Sequence, residues 1–533
     1  MKTINLAFVI SILLLHVAAL HATQPNIVII MADDMGFSDL GCYGSEIETP
    51  NLDRLAENGL RFTQFYNPSR CCPTRASLLT GLYSHQAGIG NMVGDDGHPS
   101  YRGFLTADCV TIAEVLKDAG YATLMSGKWH VGEERPHWPI DRGFDQYYGL
   151  ISGAMNYFDL RLGKQKGLIR NFADNEQRIV PHGDGFYTTD AFSERAIGML
   201  DSVKEDQPFF LYLAYNAPHW PLHAPEEAIQ EYQGKYMKGW EPLRKKRLEK
   251  MRQLGVIDSS WEISEPDEEV ADWASLSDEM KATMDRKMAV YAAQIHLMDA
   301  GIGRVIEKIR GMGRLDNTLL LFLADNGGCH EGGPLGRNFR EDLTGPIGSV
   351  NSFHSYGRSW ANVSNTPFRM YKHWVHEGGI SSPLIAHWPS VIQEGGKLTG
   401  EVGHLIDLMA TCVDVANATY PETYNGNAIE PLEGKSLAPV FRGEGREGHE
   451  ALFWEHSGNR AVRKGDWKLV SKDSGKWELY DLKSDRTELH DLSEEHPEVV
   501  EDLDGLYQGW AKKVGALTPK ELAEVRRENR EEG

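Results

Sequence analysis

Five short apolar runs punctuate the chain: Asn26 to Met31, Ala122 to Ser126, Phe209 to Tyr215, Thr318 to Ala324 and Pro383 to His387. They are continuous rather than alternating, which predicts strands covered on both faces. Helical periods lie between them. Thr49-Pro50 predicts a helix start, with Thr as cap and Pro in the first turn, and Gly59 its end. A second helix is expected from about Val110 to Ala119. Tyr291, Ile295, Met298, Ile302, Val305 and Ile309 recur at spacings of four and three, the apolar stripe of a long helix ending near Gly311. Strands alternating with helices predict an α/β fold built on a mostly parallel sheet with helices on both faces.

The segment from about Gln230 to Lys281 is polar and charged with scattered Trp, and is expected to form a helical insertion over the core. From about Ala451 the texture changes. Ala451 to His456, Ala461 to Lys464, Trp467 to Ser471 and Trp477 to Leu482 are closely spaced strand-like runs. Turn signals such as Ser457-Gly458-Asn459 separate them, and a helical stretch comes next, from about Glu498 to Val514. A large domain over 24–440 and a smaller antiparallel α+β domain over 441–533 are therefore expected. The charged terminus from Arg526 is expected to fray.

The 533 residues are 41% hydrophobic and 25% charged, ordinary globular proportions that exclude fibrous and largely disordered classes. The net charge of −22 argues against nucleic acid as a partner. An anionic substrate would need a local cationic pocket or a metal. Residues 1–22 hold an apolar run from about Ile4 to Leu20 and read as a signal peptide, which implies export to a periplasm or secretion. An uncleaved N-terminal anchor is the alternative. Six cysteines in this length, with no CxxC pair, make neither a disulfide scaffold nor a thiolate zinc site.

Polar chemistry sits directly after four of the core runs: Asp33-Asp34, Lys128-Trp129-His130, His219 and Asp325-Asn326. Ligands of open α/β sheets bind at the carboxyl ends of strands, so these side chains are expected on one rim. Three carboxylates and an amide oxygen form a hard ligand set that suits Ca²⁺ or Mg²⁺. Taken singly, each residue is an ordinary cap, turn or surface residue; their joint occurrence after four strands is what points to a site. Arg70-Cys71-Cys72-Pro73-Thr74-Arg75 runs from loop into helix, where a nucleophile at a helix N-terminus would meet a field favouring anions. A vicinal disulfide or two buried thiols is the bland alternative.

That segment, continued through Leu79-Thr80-Gly81, resembles the signature of the formylglycine-dependent type I sulfatases of the alkaline phosphatase superfamily: Cys-x-Pro-Ser-Arg, three residues, then Leu-Thr-Gly. Cys71, Pro73 and Arg75 fit, and Thr74 replaces the commoner Ser. The resemblance extends through Gly127-Lys128-Trp129-His130, Arg142-Gly143-Phe144-Asp145, Ala217-Pro218-His219 and Asp325-Asn326-Gly327 to Tyr371-Lys372 and His376-Glu377-Gly378-Gly379, and is nearest to bacterial arylsulfatases. It implies a large mixed, mostly parallel sheet sandwiched by helices, and a sulfuric ester hydrolase.

By this resemblance a formylglycine-generating enzyme oxidises Cys71 to 3-oxoalanine, whose hydrate attacks sulfur. Asp33, Asp34, Asp325, Asn326 and residue 71 match the family's metal ligands, the ion being typically Ca²⁺, with Mg²⁺ the other candidate. Arg75 would hold the formylglycine, and Lys128 and Lys372 would clamp sulfate. His219 would protonate the leaving alcohol, and His130 would take a proton from the diol to release sulfate. His456 and Arg460 are weaker candidates for contact with the leaving group, with a structural turn as the equal alternative. The expected substrate is an aryl sulfate or a sulfated sugar at a polysaccharide end. A phosphodiester or phosphonate monoester hydrolase with the same site, or a non-catalytic glycan-binding homologue, are the competing functions.

Overall fold

A computed structural model describes residues 24–532. The expected leader at 1–22 lies outside the described residues. Eleven strands form one sheet: β1 (Asn26–Asp33), β2 (Leu60–Tyr66), β3 (Ala122–Gly127), β4 (Gln146–Leu150), β5 (Phe172–Asp174), β6 (Gln177–Arg178), β7 (Phe209–Pro218), β8 (Thr318–Ala324), β9 (Ser381–His387), β10 (Lys397–Thr399) and β11 (Gly403–His404). Their spatial order is β10-β2-β9-β8-β1-β7-β3-β4-β5-β6, with β11 also on β2. β8, β1, β7, β3 and β4 run parallel to one another. β9 is antiparallel to both of its neighbours, β8 and β2. This is the mixed, mostly parallel sheet that was expected.

The principal helices are α1 (Pro50–Glu57), α2 (Cys71–Thr80), α3 (Ile112–Asp118), α4 (Thr188–Asp201), α5 (Trp240–Gln253), α6 (Asp278–Gly311), α7 (Asp407–Val415), α8 (Pro497–Val514) and α9 (Pro519–Glu532). Alternate residues of β1 feed two separate cores. Val28 and Ile30 pack with α1, α4, α5 and α6. Ile27, Ile29 and Met31 pack with α2, α3 and α7. A strand that buries both faces has no polar position to spare, which is why its sequence is unbroken apolar.

Two local expectations change in mechanism. Thr49 precedes α1, but its hydroxyl donates to Asp53 Oδ1 at 3.0 Å and accepts from Gly41 N at 2.9 Å instead of capping the helix. Gly59 lies just past α1 because a Cβ there would meet Ala386 O at 2.3 Å, not because a left-handed cap needs it. The chain between α5 and α6 is mostly irregular. The terminal segment does not fray. It forms α9, held where Arg526 grips both oxygens of Asp96 at 2.7 and 2.8 Å, a contact 430 residues away in sequence.

A second, four-stranded antiparallel sheet holds β12 (Leu452–His456), β13 (Asn459–Lys464), β14 (Trp467–Ser471) and β15 (Glu478–Asp481) in sequential order, with α8 packed on it. Ser457 and Gly458, both at positive φ, turn β12 into β13. Buried charge joins this sheet to the large one. Glu377, just before β9, accepts from Lys468 Nζ at 3.0 Å, Arg486 Nε at 2.9 Å and Tyr66 OH at 3.0 Å. Lys468 also reaches Glu488 at 2.8 Å. Among the described residues, no helix is long and apolar enough to cross a membrane.

Burial works against the Glu377 charge, but Lys468 and Arg486 outweigh it and hold its pKa at about 2, below the ordinary 4.5. Folding therefore favours the ionised form. That contribution is complete above pH 4.5 and is lost as pH falls toward 2. Glu377→Gln is expected to cost about 3–5 kcal/mol in urea unfolding at neutral pH, because it strands buried cations. Its stability should also fall less steeply than wild type through that acid window.

Candidate active site

Four adjacent parallel strands end on one edge of the sheet. In spatial order, β8 leads into Asp325 and Asn326, β1 carries Asp33 and Asp34 at its end, β7 leads into His219 and β3 into Lys128 and His130. β9 runs the other way, so its start lies on this same edge, and Lys372 precedes it. The backbones meet closely there: Gly327 N donates to Gly379 O at 3.1 Å, and a Cβ on Gly327 would lie 1.9 Å from Gly378 O. Cys71 is the first residue of α2. Thr74 Oγ1 ties that helix to Asp325 O at 2.6 Å.

Three buried carboxylates face three buried cations. Lys128 Nζ lies 2.7 Å from Asp33 Oδ2, and Lys372 Nζ 2.8 Å from Asp34. Arg75 donates to Asp325 Oδ2 at 3.1 Å and to Lys128 O at 2.7 Å, and lies 4.0 Å from Asp33 Oδ1. Asp34 N donates to Asp325 Oδ1 at 3.0 Å, and Asn326 Nδ2 to Asp34 Oδ1 at 2.7 Å. Asp34 and His130 both sit at positive φ, strain of the kind that functional sites retain.

This arrangement leaves Asp33 Oδ1 and Asn326 Oδ1 buried without a hydrogen-bond partner. Orphaned buried acceptors are costly, and a cation satisfies them. Burial raises the pKa of Asp33 against the pull of Lys128 and Arg75. Burial, reinforced by Asp33, raises Asp325 well above the usual carboxylate range. Asp34 is lowered, because His219 and Lys372 outweigh its burial. Hard oxygen donors that still lack positive charge fit a divalent ion such as calcium. Two close groupings result: Asp33 and Asp34 with His219, and Cys71 and Cys72 with His130, each residue offering an atom within 4.8 Å of the others. Asp325 lies against Arg75 and Asp34, its Oδ2 taken by Arg75 and its Oδ1 by the Asp34 amide.

The histidines differ in their wiring. His219 Nδ1 lies 2.5 Å from Trp220 O, a pure acceptor, so Nδ1 carries the proton and Nε2 faces Lys372 and Asp34, each at 3.3 Å. Tyr157 OH donates to the backbone carbonyls of Asn216 and His219 at 2.5 and 2.7 Å, fixing that turn. His130 Nε2 lies 3.4 Å from Cys72 Sγ, and its Nδ1 has no partner. Burial pulls both histidines down to about 4. The Cys71 thiol is lowered well below its ordinary value, first by a hydrogen bond from Cys72 and then by Lys128 and His130 working against burial. All six cysteines are free and buried.

His456 is buried beside this centre, its ring 5.1 Å from that of His373. Arg460 is not brought to the rim. Its guanidinium lies 4.1 Å from the Trp477 ring and donates to Gly475 O at 3.3 Å, because β13 points it along the small sheet. Sequence reasoning passed over a chain of contacts on the other side. Trp220 Nε1 donates to Glu331 Oε2 at 2.8 Å, and Glu331 Oε1 pairs with Arg70 at 3.1 Å. Glu331 sits in an irregular Gly-rich stretch with no period to mark it, and Arg70 is an ordinary loop position.

A helix N-terminus aimed at carboxylates, lysines and histidines on the carboxyl edge of such a sheet defines a hydrolase of anionic esters with the alkaline phosphatase-like fold. Residues 25–418 match the family model described as Sulfatase, and residues 368–508 match N-sulphoglucosamine sulphohydrolase, C-terminal. The chain belongs to the sulfatase family and is a sulfuric ester hydrolase. It is 36% identical over 478 residues to an uncharacterized sulfatase of Schizosaccharomyces pombe, covering 84% of this chain and 85% of that protein. It is 35% identical over 438 residues to an arylsulfatase of Klebsiella aerogenes, covering 79% and 93%. The crystal structure of Ps i-CgsB covers 94% of this chain and 96% of that one, at 26% identity and a TM-score of 0.69.

Arg75→Met would leave Asp33 and Asp325 buried with less countercharge, and is expected to lower unfolding stability by about 3–5 kcal/mol. Arg75→Lys should recover part of this, since it keeps the charge but not the span from Asp325 to Lys128 O. Urea denaturation of the three proteins compares them directly.

Proposed function

We propose that this sulfatase removes sulfate from O-sulfated sugars, with aryl sulfates as artificial substrates, at the rim that joins Cys71 to the buried carboxylates. The observation that carries the reading is the meeting of Lys128, Lys372 and His219 on Asp33 and Asp34, in a cluster where Asp33 Oδ1 and Asn326 Oδ1 keep unpartnered oxygens. A saccharide substrate is supported by Ps i-CgsB, solved in complex with k-i-k-neocarrahexaose and 26% identical to this chain.

When present, formylglycine at residue 71 supplies a diol hydroxyl as nucleophile, and a divalent ion, calcium or magnesium, held by Asp33, Asp34, Asp325 and Asn326 together with residue 71, supplies charge for the sulfate oxygens. The protein's own side chains do the rest. Arg75 fixes the helix start against Asp325. Lys128 and Lys372 now serve as the carboxylates' countercharge; a divalent ion would free them to hold sulfate oxygens as point charges. His219 Nε2 delivers a proton to the leaving oxygen. The incoming anion would raise its pKa from about 4, loading the proton when substrate is bound. His130, neutral at pH 7 with a pKa of about 4, is ready to accept a proton from residue 71. Oxidation of Cys71 requires a formylglycine-generating enzyme as partner, and export to the periplasm or medium suits a polysaccharide substrate.

Mass spectrometry of the Cys71 peptide from active enzyme should show the aldehyde, and Cys71→Ala should abolish sulfate release. His219→Ala is expected to lose about 10²–10⁴ in kcat on a sugar sulfate. The loss should be much smaller on 4-nitrophenyl sulfate, whose leaving group departs without a proton. Faster turnover of an aryl phosphodiester than of the aryl sulfate would overturn the assignment in favour of a phosphodiesterase.

Calcium should raise the thermal midpoint of chelator-treated protein. Asp33→Asn should remove most of that shift while the protein stays folded. A shift that persists in Asp33→Asn would place the ion elsewhere.

A further inference from the structure

Trp220 is the residue after His219, and its ring stacks on Phe339 with centroids 4.4 Å apart and 23° between planes. Two cations gather on this stack. Lys164 Nζ lies 5.0 Å from the centroids of both rings, and Arg337 Cζ lies 4.7 Å from that of Phe339. Lys164 is partly exposed and Arg337 is exposed. Neighbouring Arg340 is paired with Asp342 at 2.7 Å. Among the described residues, neither Lys164 nor Arg337 has a carboxylate within 4.0 Å.

The stack is tied to the reacting centre. Trp220 Nε1 bonds Glu331 at 2.8 Å, Glu331 bonds Arg70 at 3.1 Å, and Arg70 precedes Cys71. The aromatic faces hold the two cations by their quadrupoles, while the N–H donors stay free for another ligand. In a chain of net charge −22, two unpaired cations fixed beside the proton donor for the leaving group are a receptor for negative charge.

We propose that Lys164 and Arg337 form a second anion subsite on the leaving-group side, which takes a further sulfate or a carboxylate of the same or the adjoining sugar. The substrate class is then an oligosaccharide end with at least two anionic groups, one hydrolysed and one held. This rests on the sulfate-ester reading of the neighbouring centre and narrows it.

The test compares disaccharides that carry one sulfate, two sulfates, or one sulfate and a uronate. Their binding is measured by calorimetry, and their desulfation as kcat/KM, on wild type, Lys164→Gln/Arg337→Gln and Lys164→Arg. Wild type should bind the doubly charged ligands about tenfold more tightly than the monosulfated one. In the double Gln variant that ratio should collapse toward unity; in Lys164→Arg it should survive. Raising salt from about 0.05 to 0.5 M should shrink the wild-type ratio. The sulfate and uronate arms show which anion the subsite prefers.

Equal binding of all ligands by wild type, or a ratio unchanged in Lys164→Gln/Arg337→Gln, would overturn the proposal. So would an equal loss on every ligand, the mark of a merely structural role. A selective binding ratio without sulfate release from any substrate would instead remove the hydrolytic reading and leave the subsite standing.

Discussion

Three carboxylates cannot lie side by side in a protein interior unless positive charge is supplied to them, and this requirement organises the molecule. Asp33, Asp34 and Asp325 are fully buried. Removing each from water costs several kcal/mol, which only close cations and hydrogen bonds offset. Arg75, Lys128 and Lys372 provide that offset from three different segments. The compensation is incomplete, as the raised pKa values of Asp33 and Asp325 and the orphaned oxygens record. A stable interior would have replaced these groups with apolar ones. Their retention makes sense as a device that holds charge ready for an ion and an anion.

Topology decides which side chains can take part. Neighbouring parallel strands β8, β1, β7 and β3 necessarily bring their carboxyl ends to one edge. Lys372 reaches the same edge only because β9 reverses direction. The small sheet has a part in this. Its Lys468, with Arg486 just beyond it, clamps Glu377, five residues beyond Lys372, so the segment that presents the lysine is anchored at its far end by buried ion pairs. The second sheet therefore supports the charge geometry of the first, and its His456 lies buried beside the centre.

The strand runs and the polar residues at their ends were readable because a doubly covered strand must be continuously apolar, and a change to Asp, Lys, His or Asn at its end is abrupt. The long stripe of α6 was readable for the same reason of period, although the helix begins at Asp278, well before Tyr291, where that stripe starts. Contacts between distant segments were not readable. Nothing local to Thr49 says that its hydroxyl will serve Gly41 and Asp53. Nothing near Arg526 says that Asp96 will hold it. Lys372 entered through family resemblance alone, since its position depends on a strand direction that composition does not encode. Arg460 failed to reach the site because strand alternation and an available Trp477 ring direct it elsewhere. The run Arg70–Glu331–Trp220 joins three loops and has no one-dimensional signature.

The overall charge poses a last problem, since an acidic protein must admit an anionic ester. At physiological salt the Debye length is about 8 Å, so acids on remote surfaces are largely screened at the rim, and the local balance decides. Locally, each acid facing the centre has a cation in contact: Glu331 has Arg70, Asp34 has Lys372, Asp33 has Lys128 and Asp325 has Arg75. The cations on the Trp220–Phe339 stack have no carboxylate within 4.0 Å among the described residues. Cations held on the ring stack next to His219 would give an anion a favourable approach without destabilising the core, because they are held by ring faces rather than by acids that the substrate would have to displace.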